Sequence, residues 1–217
     1  MKLSRKPVKK LFFNDCMFHI LEDVYEPAED TFLLAKNLRV NRDDSVLDLG
    51  TGCGILAILA AKRARAVVAI DINPYAVYCA KINAKLNGVG RKMNILQGDV
   101  FQPVRKDKQF DLVLFNTPYL PSEEKDQKTW IEKAWAGGLD GRGLIDRFLS
   151  DVPEYLEMDG RILLVQSTLS DVDKTLKTFR KVGLKAKITA TEKVAFETIV
   201  MIEAEGLQNK MNEGFGR

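Results

Sequence analysis

Ser45-Val46-Leu47-Asp48-Leu49 runs without a break into Gly50-Thr51-Gly52-Cys53-Gly54, and then into Ile55-Leu56-Ala57-Ile58-Leu59-Ala60-Ala61. The first five residues read as a buried strand and the last seven as an apolar helix. Strand, glycine turn, helix is the context in which a glycine-rich loop lets backbone pass close to a ligand. Outward from this unit the pattern repeats. Val67-Val68-Ala69-Ile70 is a second strand, ending at Asp71. Asn73-Pro74 starts a helix that runs to about Leu86, with Asn87-Gly88 as its stop. Met93 to Leu96 and Phe110 to Phe115 are the third and fourth strands. A helix from Leu144 to Leu156, interrupted by Pro153, leads to a fifth strand at Arg161-Ile162-Leu163-Leu164-Val165. Ser170 to Lys181 is an amphipathic helix stopped at Gly183. Lys185 to Thr191 and Ala195 to Ile202 close the chain as an antiparallel pair around Glu192-Lys193. This alternation predicts an α/β protein with one doubly wound, mostly parallel sheet and a C-terminal antiparallel strand pair.

Upstream, residues 1–24 are basic and then aromatic, which predicts a short hairpin or an extended cover segment. Val24-Tyr25-Glu26-Pro27-Ala28-Glu29-Asp30-Thr31 follows. Pro27 suits the first turn of a helix, Glu29 and Asp30 complement its positive end, and Phe32, Leu33, Leu34 and Leu38 give it an apolar face. The tail 206–217 is poor in apolar residues and reads as mobile. With no internal repeat or linker, residues 1–217 read as a single domain. The 46% apolar content supports a sizeable core, and the net charge of +3 does not indicate nucleic-acid binding. Cys16, Cys53 and Cys79 are scattered and unpaired in spacing, which argues for a reducing compartment. The only histidine, His19, lies between Phe18 and Ile20 and reads as packed or capping. No metal site is expected. No apolar run approaches a membrane span, so a soluble, cytoplasmic protein is expected.

Chemistry concentrates at strand ends. The loop spacing is GxGxG with Asp48 before it, which suits a sulfonium and an α-amino group better than a pyrophosphate. Asp71 is placed to accept both hydroxyls of a ribose. Asp99 could accept an adenine amino proton, with Val100 offering a backbone N–H; an ordinary loop aspartate is the plainer alternative. Asn116-Thr117-Pro118-Tyr119 follows the fourth strand. Asn116 offers an acceptor and two donors, Pro118 holds Thr117 extended, and Tyr119 adds a flat face. Together they suit a planar amino group, although Asn-X-Pro alone is common turn chemistry. Residues 120–141 are too long for an ordinary connection and read as a lid or substrate loop. Within them, Trp135 between alanines reads as core packing.

Taken together, Asp48 to Gly54, Asp71, Asp99 and Asn116-Thr117-Pro118-Tyr119 resemble a class I S-adenosylmethionine-dependent methyltransferase, Rossmann-like with seven strands. Val24 to Thr31, Ala134-Trp135-Ala136-Gly137-Gly138, Gly141-Arg142 and Asp146-Arg147-Phe148 are similar to its HemK2-type branch. The resemblance covers roughly residues 22 to 202. It implies methylation of the glutamine side-chain amide in the Gly-Gly-Gln motif of a peptide chain release factor. It implies S-adenosylmethionine as cofactor, held by Thr31, Asp48, Gly50, Gly52, Asp71, Asp99, Val100 and Asn116. It also implies catalysis by Asn116, Thr117, Pro118 and Tyr119, and a small zinc-binding activator subunit over a strand edge. The family tetrapeptide is usually Asn-Pro-Pro-Tyr. Here its second residue is Thr117, which is expected to act through its backbone carbonyl. An adenine amino methyltransferase acting on DNA or RNA, a protein lysine methyltransferase and a binding subunit without turnover are the rival readings.

Overall fold

A computed structural model describes residues 7–123 and 128–206. The chain begins with a hairpin, β1 (Lys9–Phe13) and β2 (Cys16–Ile20), turned at Asn14, whose φ is 51°. After α1 (Glu29–Asn37) come β3 (Ser45–Leu49), α2 (Ile55–Ala61), β4 (Ala66–Asp71), α3 (Pro74–Leu86), β5 (Met93–Gln97) and β6 (Phe110–Asn116). Then follow α4 (Trp130–Trp135), α5 (Gly143–Asp151), β7 (Leu156–Ser167), α6 (Val172–Lys181), β8 (Leu184–Lys193) and β9 (Thr198–Gly206).

Seven strands form one sheet in the order β5-β4-β3-β6-β7-β9-β8. The pairs from β5 to β7 are parallel, while β9 runs antiparallel to both β7 and β8. The central strands are mostly apolar because helices cover both faces, as buried parallel strands require, with Asp48 of β3 a buried exception. From β3 the chain goes to β4 on one side and later returns to β6 on the other. That reversal opens a crevice at the carboxyl ends of these strands. Register then fixes what lines it. Leu49 pairs with Ile70 on one side and Phe115 on the other, so Gly50, Asp71 and Asn116 stand in a row across three adjacent strands.

The hairpin is held by two side chains four residues apart, Asn83 of α3 and Asn87, the residue that caps its C-terminal end. Asn83 Oδ1 accepts from the His19 N–H at 2.8 Å, and Asn83 Nδ2 donates to the His19 carbonyl at 2.8 Å. Asn87 does the same for Met17, at 3.1 and 2.8 Å. Residues i and i+4 share a helix face and residues i and i+2 share a strand edge, so the two amides cap the β2 edge as a strand would. The cover segment is therefore a docked hairpin, and His19 engages α3 through its backbone.

Several boundaries differ from expectation, among them the start of the helix expected from Ser170, which lies at Val172. The helix expected over 144–156 ends at Asp151, and a 3-10 turn, Val152–Tyr155, follows. Pro153 has no N–H to continue the ladder, so Leu156 already opens β7. The final turn lies at residues 194–197, not at Glu192-Lys193, and the Val194 N–H donates to the Glu197 carbonyl. Gly206 pairs with Leu184 and belongs to β9, not to the tail; the rest of the expected tail lies outside the described residues, as do Lys2, Arg5 and Lys6 of the basic cluster. Among the described residues no helix is long and apolar enough to cross a membrane.

Candidate active site

A cavity of about 370 Å³ occupies the crevice. Its floor is the glycine loop. Gly50, Gly52 and Gly54 all take positive φ, between 57° and 87°, which turns the chain sharply from β3 into α2. At Gly54 a Cβ would meet the Cβ of Ala80 at 3.0 Å, so the absent side chain lets α2 pack on α3.

Asp71 faces the cavity at the end of β4. Its Oδ2 accepts from the Gly52 N–H at 2.8 Å and its Oδ1 from the Asn73 N–H at 2.9 Å. Burial pushes its carboxyl up to about 6, against the pull of those two N–H groups. Each oxygen keeps a lone pair free, as needed for a vicinal diol. Asp48 lies below the loop, fully buried and off the cavity wall. Its Oδ2 accepts from the Thr51 hydroxyl at 2.6 Å, and its Oδ1 has no partner. Burial drives this carboxyl up to about 7; the Thr51 hydroxyl opposes the shift and the charge of Asp71 adds to it.

Asp99 and Val100 line the far end of the cavity. Val100 has φ 47°, strain of about 1–3 kcal/mol for such a residue. The turn is pinned by Phe101, which stacks on Tyr155 (4.4 Å between centroids) and on Phe148 (5.9 Å). Asp99 pairs with Arg147 of α5 at 2.6 Å. That partner is not evident from the sequence, since 48 positions separate the two.

The opposite wall carries the tetrapeptide. Asn116 Nδ2 donates to Thr31 Oγ at 3.1 Å, while its Oδ1 is buried with no partner. Thr31 is itself buried behind the wall. The Thr117 hydroxyl donates to the Val165 carbonyl at 2.9 Å, and its N–H reaches the same oxygen at 3.3 Å. The unusual side chain is thereby spent on β7 and directed away from the cavity. Tyr119 and Tyr25 both donate to Oδ2 of Asp30, at 3.4 and 3.1 Å. Burial first, and the Asp30 charge second, raise both phenols well above their ordinary range, so they stay protonated donors. The sequence marks Asp30 only as a helix-end charge and gives Tyr25 no role.

The described part of the expected lid, residues 120–123 and 128–141, is pinned; residues 124–127 lie outside the described residues. A capping box of Thr129 and Glu132 starts α4. Leu120 then bridges to this segment: its N–H donates to Trp135 and its carbonyl accepts from Gly137. Trp130 and Trp135 are only part-buried and line the cavity, so Trp135 is not core packing. Gly141, with φ 71°, passes so close to Tyr119 that a Cβ would lie 2.2 Å from its carbonyl oxygen. Arg142, almost wholly buried, donates to the carbonyls of Ser170 and Asp171 and to Asp146, tying the loop to the start of α6.

The diol-ready carboxylate, the close-approach glycines and the second carboxylate at the far end fit an adenosyl cofactor bearing a sulfonium. The row Gly50–Asn116 would bring its reactive end beside the tetrapeptide.

The family model described as "Methyltransferase small domain" matches residues 26–194. A putative protein N5-glutamine methyltransferase of Methanocaldococcus jannaschii is 42% identical, over 84% of this chain and 91% of its own. Methyltransferase HEMK2 of Homo sapiens is 31% identical, over 83% of this chain and 89% of its own. Among solved structures, the E. cuniculi Mtq2-Trm112 complex, responsible for methylation of the eRF1 translation termination factor, superposes with a TM-score of 0.67. It shares 28% identity, over 85% of this chain and 99% of that one.

Proposed function

Because the chain belongs to the methyltransferase small-domain family and to its HemK2-type branch, we propose that it methylates the glutamine side-chain amide in the Gly-Gly-Gln motif of a release factor. The whole chain is read as one methyltransferase domain. The observation that carries the reading is Asn116 Oδ1, a buried acceptor with no partner at the mouth of β6. A primary amide supplies the N–H such an acceptor lacks. S-adenosylmethionine supplies a methyl group already activated on sulfur. The chain's residues do the rest by placement. Asn116 Oδ1 and the Thr117 carbonyl hold the two amide protons, so positive charge developing on nitrogen meets fixed dipoles. Tyr119 packs against the amide plane, and Pro118 keeps Thr117 extended. Asp71, Asp99 and the Val100 N–H hold ribose and adenine, Gly50 and Gly52 admit the cofactor closely, and Asp48 steadies the loop from beneath.

A small zinc-binding activator, in the place of Trm112 in the E. cuniculi complex, is proposed to pair with the β5 edge. The other edge, β8, is blunted by Lys185, Lys187, Glu192 and Lys193, whereas Met93–Gln97 carries no charge. A cytoplasmic location follows from such a substrate.

The test is methyl transfer from labelled S-adenosylmethionine, with and without co-expressed activator, to release factor and to its Gln→Glu variant in the Gly-Gly-Gln motif. Mass spectrometry should place one methyl on that glutamine and none on the variant. Label on DNA, RNA or a lysine instead would overturn the proposal.

A further inference from the structure

We propose that Asp30 is a positioning residue which, through the Thr31 hydroxyl, holds the Asn116 amide with its oxygen towards the cavity. The inference rests on the reading of Asn116 as the acceptor for the substrate amide.

The two ends of an asparagine amide are nearly equal in size, so packing hardly chooses between them; hydrogen bonds do. Asn116 has one polar neighbour behind the wall, Thr31 Oγ, at 3.1 Å. A hydroxyl has a single proton. Here that proton goes to Asp30 Oδ1, 3.1 Å away, which leaves only lone pairs facing Asn116. Asn116 must then present Nδ2 to Thr31, which leaves Oδ1 at the other end of the amide as a buried acceptor without a partner in a residue that lines the cavity. The donation is enforced from the other side as well. Asp30 Oδ1 also receives the Thr31 backbone N–H, a donor that cannot rotate, and Oδ2 receives both tyrosine hydroxyls. Every group around Asp30 gives a proton to it, so the Thr31 hydroxyl cannot receive one from that side and turn its own proton on Asn116. Asp30 lies 86 positions before Asn116, and only the docking of α1 against the end of β6 joins them.

The arrangement separates the acceptor of Asp30 from its charge. In Asp30→Asn, the fixed Thr31 N–H keeps an oxygen at the Oδ1 position. The new NH2 faces the tyrosine hydroxyls, which can rotate to accept. The relay survives. Asp30→Leu fills the space and offers no acceptor. The Thr31 proton then turns to Asn116, and the flipped amide, with Nδ2 in the cavity, gains the hydrogen bond that the productive one loses. One buried hydrogen bond shifts that balance about 10- to 100-fold.

The test compares these variants in the full chain, with saturating S-adenosylmethionine and release factor. Expected are a kcat within about threefold of the parent for Asp30→Asn and a fall of about 10- to 100-fold for Asp30→Leu, with KM for the release factor little changed. Adding Thr31→Val to Asp30→Leu should raise kcat again, because the misdirected proton is gone. A merely structural role would give no such recovery. Equal losses in Asp30→Asn and Asp30→Leu, or a double variant worse than Asp30→Leu, would overturn the relay. A nuclear Overhauser contact between the Asn116 Nδ2 protons and Thr31 reads the relay without substrate. It should persist in Asp30→Asn and vanish in Asp30→Leu. If the parent shows that contact yet methylates no release factor, the functional reading has failed and the relay has not.

Discussion

Replacing Asn116 with alanine should separate function from stability. In the unliganded protein the side chain contributes one hydrogen bond, Nδ2 to Thr31 Oγ. That bond is worth about 1 kcal/mol net. Its other end, Oδ1, is buried and unpartnered, a desolvation cost of about 1–3 kcal/mol. Truncation removes both, so unfolding free energy should change by only about 0–2 kcal/mol and need not fall. Catalysis has no such offset. Removing one pre-set group that meets developing charge costs about 10²–10³ in kcat, or about 2.7–4 kcal/mol. The assays are urea unfolding, calorimetric titration of S-adenosylmethionine, and steady-state transfer to the release factor. The expected result is a collapsed kcat at near-parental stability and cofactor affinity. A kcat within about threefold of the parent would refute the role of Asn116. So would a loss confined to KM, and a large rise in cofactor Kd would make Asn116 a cofactor ligand instead.

Asp71→Ala should weaken cofactor binding at least about tenfold through loss of charge-assisted bonds to the ribose. In the parent, titration calorimetry should find affinity falling as pH drops through about 6, where the carboxylate takes up a proton. Asp48 acts on stability with the opposite pH sense. Its carboxyl, raised in the fold to about 7 from 3.8, makes the native state bind more protons than the unfolded chain across that window. Its contribution is therefore full below about pH 4 and lost as pH rises through 7. Asp48→Asn should remove that slope, which amounts to about 4 kcal/mol, and urea titrations at several pH values would reveal it. Thr117→Val should cost about 1 kcal/mol of stability for the lost bond to Val165, with kcat within about twofold. Gly141→Ala would force a Cβ against the Tyr119 carbonyl at a positive φ, so loss of activity and faster proteolysis of the 120–141 segment are expected.

The buried half of this fold is legible because its physics is one-dimensional. Strands covered on both faces are apolar at most positions, so β3, β4 and β6 stand out of the sequence within a residue or two of their ends even though β3 holds Asp48 and β6 holds Asp111. Polar residues at the ends of such runs then mark Asp71 and Asn116 from the sequence alone, and Asp99 holds the matching place two residues past the half-exposed β5. The outer strands resist the same reading. In β8 only Leu184 and Ala186 are buried, and most of the rest are lysine, threonine or glutamate, so nothing in the pattern marks where the strand stops. The start of β7 is hidden for another reason: its first five residues, Leu156 to Gly160, include two acids and a glycine and pair irregularly with β6. Trp135 shows a third limit. Flanking alanines suggest burial, but a six-residue helix held across Leu120 turns the indole to the cavity instead.

Thr31 and Asp48 mark where residue type and motif position stop being informative about contact. Both are polar, both sit in the expected segments, and the structure sets both one layer behind the cavity wall. A threonine near a ligand can touch it or can touch the residue that does, and only side-chain direction separates the two. That direction comes from donors brought together over 85 and 89 positions, from Asn116 to Thr31 and from Tyr119 to Asp30. It also comes from proton counting. Asp30 in the first turn of α1 satisfies the helix end as any carboxylate there would, so the sequence signal is fully explained by capping electrostatics. The surplus appears only once four donors are seen converging on one carboxylate. Such a group cannot donate, and that one-way character passes through a single hydroxyl proton to decide which atom of Asn116 meets the substrate.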